Sequence, residues 1–237
     1  MTAMEAAEGP APPTGDLLPS GTPAVPAVKP LLRGWLHLIS FEASLVLGTL
    51  ALANAHGAVR ITAIAVFAAS VSAMFGTSAL YHRGNWCATW HSRLQRLDHA
   101  MIFLLIAGTA TAVFLTVMHG VARLAGLIMI WTLTLTAGAI HMAWMNAPER
   151  LVGGTFVGLG CVAGLALPEV WLHSGAAAGA LMLAGGVLYI AGALSYHRRW
   201  LNAFPTVFGY HEVFHALVLG AATMHYAVIA FAVLPRG

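Results

Sequence analysis

Apolar residues run along this chain in long blocks separated by short polar stretches. The blocks lie at about 35–54, 60–81, 99–118, 122–144, 151–167, 176–195 and 212–234. Most come close to the ~20 residues an α-helix needs to cross a ~30 Å hydrocarbon layer. The pattern predicts an all-α membrane protein, a bundle of seven transmembrane helices within residues 31–237. The fifth block is short, but Gly154/Gly158 and Gly160/Gly164 are spaced as small-xxx-small pairs, which predicts close packing on a neighbouring helix. Residues 1–30 read differently. Their seven prolines and three acids predict a disordered tail, and they lack the basic start and apolar run of a signal peptide.

Charge orients the predicted bundle. With the N-terminus inside, the inner segments carry Lys29, Arg33, Arg83, Arg93, Arg96, Arg150, Arg198 and Arg199. The outer ones carry Arg60, Arg123 and Arg236. This asymmetry predicts a cytoplasmic N-terminus and an extracytoplasmic C-terminus. Trp35, Trp144, Trp171 and Trp200 fall near predicted helix ends, where indoles favour the interface, whereas Trp131 falls mid-helix and is expected in the core.

Composition agrees with a multi-pass protein of the cell membrane. The chain is 59% hydrophobic and 8% charged, against about a quarter charged in soluble domains. A net charge of +3 on eleven basic residues argues against a nucleic-acid partner. Cys87 and Cys161 form no disulfide framework or zinc knuckle, and each is expected to be a small buried residue. Histidine stands out, with twelve copies against eleven of Lys and Arg together.

Two of these histidines, His211 and His215, open the last block four residues apart, which puts them on one helix face. The predicted topology places His82, Asp98, His211 and His215 in one layer on the cytosolic side, at the ends of helices two, three and seven. Three imidazoles leave a fourth zinc position open, as in catalytic sites. Asp98 is either a ligand or the base that takes a proton from water, and the second role is favoured; pairing with Arg93 or Arg96 is its structural alternative. Ser78 lies one turn before His82 on the same face and is a candidate partner for water or substrate. Glu212 completes an H-E-x-x-H string, the general-base position of a zinc protease. No acidic residue follows it to complete that ligand set, so it is expected at the cytosolic interface or paired with Arg198 or Arg199. His225, roughly 15 Å further along the helix, is expected to be satisfied by a neighbouring helix. His37, His99, His141 and His197 fall near the same layer as the candidate ligands, and each is an unranked candidate to support them. Glu42 is an intramembrane carboxylate without an assigned partner.

The stretches SALYH (78–82), RLQRLDHAMIFLLIAGTATAVFL (93–115) and GYHEVFHALVLGAATMHY (209–226) resemble the haemolysin III family. That family is the bacterial branch of the progestin and adipoQ receptor superfamily. The resemblance implies zinc bound by His82, His211 and His215, with Asp98 holding the zinc water and Ser78 nearby. A wider likeness to alkaline ceramidases implies hydrolysis of a lipid amide or ester, with a ceramide-like membrane lipid or its acyl chain as partner. A membrane sensor or receptor with structural zinc is the alternative; a pore-former and an intramembrane metalloprotease are weaker readings. One departure is visible: Ala110-Thr111-Ala112 lacks the proline usual there, so the third helix is expected to run without a proline kink.

Overall fold

The computed structural model describes residues 29–144, 147–202 and 204–233. Most of the predicted tail therefore lies outside the described residues. The described residues are mostly helical: α1 Trp35–Ala53, α2 Ala58–Arg83, α3 Ala88–Val117, α4 Gly120–Ala143, α5 Glu149–Gly164, α6 Leu167–Ser174, α7 Ala176–Arg198 and α8 Tyr210–Ala227. A π-helical turn, Val228–Val233, continues α8. Taking α5 and α6 together as one crossing, seven spans are long and apolar enough to traverse a membrane.

Two helices differ from their expected bounds for identifiable reasons. Helix α3 begins at Ala88 rather than near 99. Its first turns, Ala88 to Asp98, are too polar to read as membrane span, yet nothing in them stops a helix. Hydropathy finds the part of a helix that meets lipid, not the whole helix. The fifth crossing runs on to Ser174 but breaks at Leu165–Ala166, just before Pro168. In an unbroken helix the Pro168 ring would clash with the Gly164 carbonyl. Trp171 consequently lies within α6, against Gly179 at the start of α7.

Helix α3 is the hub. Within its membrane window 61% of residues are buried, against 11–39% in the other six spans. It runs unbroken for 30 residues, in keeping with the missing proline. Thr109 and Thr111 donate back to the carbonyls of Leu105 and Ala107, at 2.8 and 2.7 Å, which satisfies both hydroxyls inside the bundle. The Trp131 indole of α4 donates to Thr111 at 3.0 Å, so this tryptophan is packed inward as expected.

The α2–α3 pairing is the most extensive in the molecule. Gly108 makes it possible: a Cβ there would lie 2.0 Å from Ser70 Oγ and 3.3 Å from the Val66 carbonyl oxygen. Small residues at such crossings let helices associate where lipid removes the usual hydrophobic drive. The α5 glycines behave otherwise. No neighbour lies within 4 Å of a Cβ built on Gly154, Gly158, Gly160 or Gly164, so the expected small-xxx-small contact does not form among the described residues. Helix α5 is peripheral and turns Phe156, Leu159 and Val162 to the core instead. Cys161 is exposed on α5, and Cys87 is exposed just before α3. Both correct the expectation of burial: Cys161 because a peripheral span gives most of its surface to lipid, and Cys87 because it lies in the short connection between α2 and α3.

Gly108→Ala is expected to cost about 1–3 kcal/mol through overpacking, read as a lower unfolding midpoint of the purified protein. Adding Ser70→Gly is expected to recover most of the loss. An unchanged midpoint in Gly108→Ala would mean that α2 and α3 do not meet there.

Candidate metal centre

The last turn of α2 and the first turns of α8 meet at one end of the bundle. His82 comes from the first; His211 and His215 come from the second. Ligand nitrogens of the three imidazoles all lie within 4.8 Å of one another. His82 Nε2 and His211 Nε2 are 3.2 Å apart. The rings converge, with centroids 4.5–5.0 Å apart across the three pairs. His82 and His215 are buried, and His211 is half-buried.

Helical geometry explains the α8 side. Glu212, His215, Val218, Ala222 and His225 recur at three- and four-residue intervals on its buried face. His211 stands one turn before His215. Val218 and Ala222 pack with Met74, Phe75 and Leu105 in an apolar layer beneath the histidines.

Asp98 lies in the third turn of α3, not at its start, because of the added N-terminal turns. Its Oδ2 is 3.7 Å from His82 Nε2, too long for a direct hydrogen bond. Ser78 is buried and lies within hydrogen-bonding reach of the Asp98 carboxylate. No ion pair joins Asp98 to Arg93 or Arg96 among the described residues; Arg93 lies over the Trp90 ring instead. The structure thus gathers His82, His211, His215, Asp98 and Ser78 from three helices.

Glu212 departs from its expected place. It is 1% exposed, not at the interface, and its partner is Arg33 rather than Arg198 or Arg199. Arg33 Nε donates to Oε1, while the Gly209 backbone N–H donates to Oε2 at 2.9 Å. The second bond is half of a capping box at the α8 N-terminus. With both oxygens engaged, Glu212 is not the free general base of a zinc protease. Its three-residue offset from His215 was the available sign of burial.

The sequence did not rank His37, which belongs to the site. Its ring stacks on His215, centroids 3.8 Å apart and planes 5° from parallel. It is buried, and neither ring nitrogen has a hydrogen-bond partner of good geometry. His99 and His141 form a separate pair, Nδ1 to Nε2 3.2 Å. His225 donates through Nε2 to the Met182 carbonyl of α7 at 3.1 Å, as expected of a histidine satisfied by its neighbour. Glu42 lies exposed on α1.

A strap of residues before α1 closes this end. Leu31 and Leu32 donate backbone N–H bonds to the carbonyls of Thr206 and Val207, at 3.0 and 3.1 Å. Gly34 then adopts a left-handed conformation, φ 78°. A Cβ there would lie 2.8 Å from His82 Cβ. Trp35 follows, with the Arg83 guanidinium 4.1 Å from its ring centroid.

The donor set suits a borderline cation: three neutral imidazoles that converge on a small volume, with a carboxylate beside them rather than among them. This is a multi-pass membrane protein with a possible three-histidine metal site at one end of a seven-helix bundle. The chain belongs to the haemolysin-III related family, whose model matches residues 26–226. It is similar to Hemolysin-3 of Bacillus cereus, 28% identical over 188 residues that cover 77% of this chain and 81% of that protein. It is also similar to the Hemolysin-3 homolog of Bacillus subtilis strain 168, 28% identical over 184 residues, or 76% and 82% of the two chains.

Gly34→Ala is expected to lower stability by about 1–3 kcal/mol, since alanine disfavours the left-handed region and its methyl meets His82. Thermal unfolding would register this. An unchanged midpoint would show that the strap does not pack on His82.

Proposed function

We propose that the chain is a zinc-dependent hydrolase of the cell membrane that cleaves a lipid amide or ester, with its N-terminus in the cytoplasm. The observation that carries the reading is the buried convergence of His82, His211 and His215 beside Asp98. Three imidazoles occupy three of the four positions zinc prefers. Held by His82, His211 and His215, a zinc ion would supply Lewis acidity and make water more acidic, towards a pKa of ~7.

The remaining chemistry belongs to this chain's own groups. Asp98 accepts the proton from water and returns it to the leaving group, as a general base and then a general acid. Ser78 orients the carboxylate for that task. The Met74, Phe75, Leu105, Val218 and Ala222 layer keeps bulk water from the inner side of the site. A lateral apolar cleft of about 280 Å³, lined by Phe103, Leu133, Ala137, Leu151 and Leu159, offers room for part of an acyl chain. His141 also lines this cleft and is bonded to His99, the residue after Asp98 in α3.

A second reading has its own support. The ends of α2 and α8 are already tied by the strap, and a cation shared by their histidines would staple them further. In that reading the protein is a membrane sensor or receptor with structural zinc.

Elemental analysis of the purified protein is expected to find close to one zinc per chain, lost in His82→Ala and His215→Ala. Incubated with ceramides and other acyl lipids, the wild-type protein is expected to release fatty acid at least ~10²-fold faster than Asp98→Ala. Equal release from the two, with zinc still bound, would discard the hydrolase and leave the structural reading. Absence of metal from the wild type would remove both.

A further inference from the structure

Glu212 and Arg33 join parts of the chain 179 residues apart. They meet at the end of the bundle that holds the three histidines. Glu212 lies between His211 and the His215 turn, and Arg33 precedes Gly34, which packs on His82. The Arg33 side chain is 22% exposed and that of Glu212 is 1% exposed. Arg33 is next in sequence to Gly34, where a Cβ would lie 2.8 Å from His82 Cβ, and Glu212 is next in sequence to His211, so the pair adjoins two of the three histidines.

This arrangement poses an electrostatic problem. A guanidinium beside the ligand set repels any dication held there, and a poorly hydrated setting strengthens the repulsion. A carboxylate in contact with the guanidinium cancels it. Glu212 is that carboxylate, and its second oxygen is fixed by the Gly209 N–H at the start of the helix bearing two of the three histidines.

We propose that Arg33 and Glu212 are positioning residues of the metal centre: their ion pair anchors the strap across the ends of α2 and α8 and neutralises the cation behind the three histidines. The proposal rests on the metal reading of those histidines. It gives the acidic residue of the H-E-x-x-H string a role behind the metal ligands in place of one on the substrate. It also predicts that the two partners differ in their effect on metal binding, although they make the same contact.

The test is zinc affinity, measured on full-length protein in lipid nanodiscs by competition with a chromogenic chelator. Glu212→Gln keeps an oxygen for the Gly209 N–H but leaves the guanidinium unbalanced; it is expected to weaken zinc binding roughly 10–100-fold. Arg33→Met removes the cation and is expected to bind zinc as tightly as wild type or more tightly, at some loss of thermal stability. The double variant is expected to bind zinc more tightly than Glu212→Gln alone. If both single variants weaken zinc equally and the double variant rescues nothing, the pair is a mechanical clasp and the proposal is overturned. Wild-type affinity in Glu212→Gln overturns it as well. Should Glu212→Gln fail to fold, Arg33→Met decides: a loss of affinity beyond about tenfold overturns the proposal, and retained or tighter binding supports it. A wild-type protein without zinc affinity would fail earlier, at the metal site itself, and would take this inference with it.

Discussion

Nitrogen lone pairs do not face one another in an apolar interior without a proton or a cation to share. His82, His211 and His215 bring ring nitrogens within 4.8 Å at one end of this bundle, and the surrounding architecture serves that convergence. Water cannot freely solvate the set, because apolar side chains lie beneath it and the strap lies over it. Three imidazoles placed this way could hold one metal ion between them. His37 lies flat on His215 and limits the planes that ring can adopt.

Holding such a set requires that helix ends not drift. In lipid, apolar side chains gain little by leaving one hydrocarbon setting for another, so helix association depends on close packing and on hydrogen bonds between helices. Helix α3 supplies the first through Gly108, which lets α2 approach. It limits polar cost by folding its threonine hydroxyls back onto its own carbonyls. Because α2 and α3 are fixed to each other, His82, Ser78 and Asp98 form one rigid unit. Helix α8 brings the other two histidines, and the Arg33–Glu212 pair couples that helix to the segment resting on His82.

Burying a charge is expensive unless it is paired, and the Glu212 carboxylate, 1% exposed, is paired with Arg33. Removing either member would strand the other. The same logic explains why Glu212 is not free to act on a substrate, despite a sequence string that invites that role. Its oxygens are already committed, one to a guanidinium and one to a helix N-terminus.

The sequence by itself determined the class of the fold and singled out the three histidines that the structure brings together. Seven apolar blocks of membrane length define the spans, and a four-residue histidine spacing defines a shared helix face; both are local, periodic signals. The resemblance of three stretches pointed to the family that the matched model then established. Other features were not legible because they depend on distant contacts. The polar start of α3 is helical although its hydropathy is low, and α5 ends where Pro168 forbids continuation. Among the described residues the α5 glycines meet no neighbour, because that helix lies at the edge of the bundle. Only the tertiary structure decided that Glu212 turns to Arg33, that His37 stacks on His215, and that Gly34 packs on His82. Each joins segments far apart in the chain, and no periodicity within one segment records which residue of another will face it.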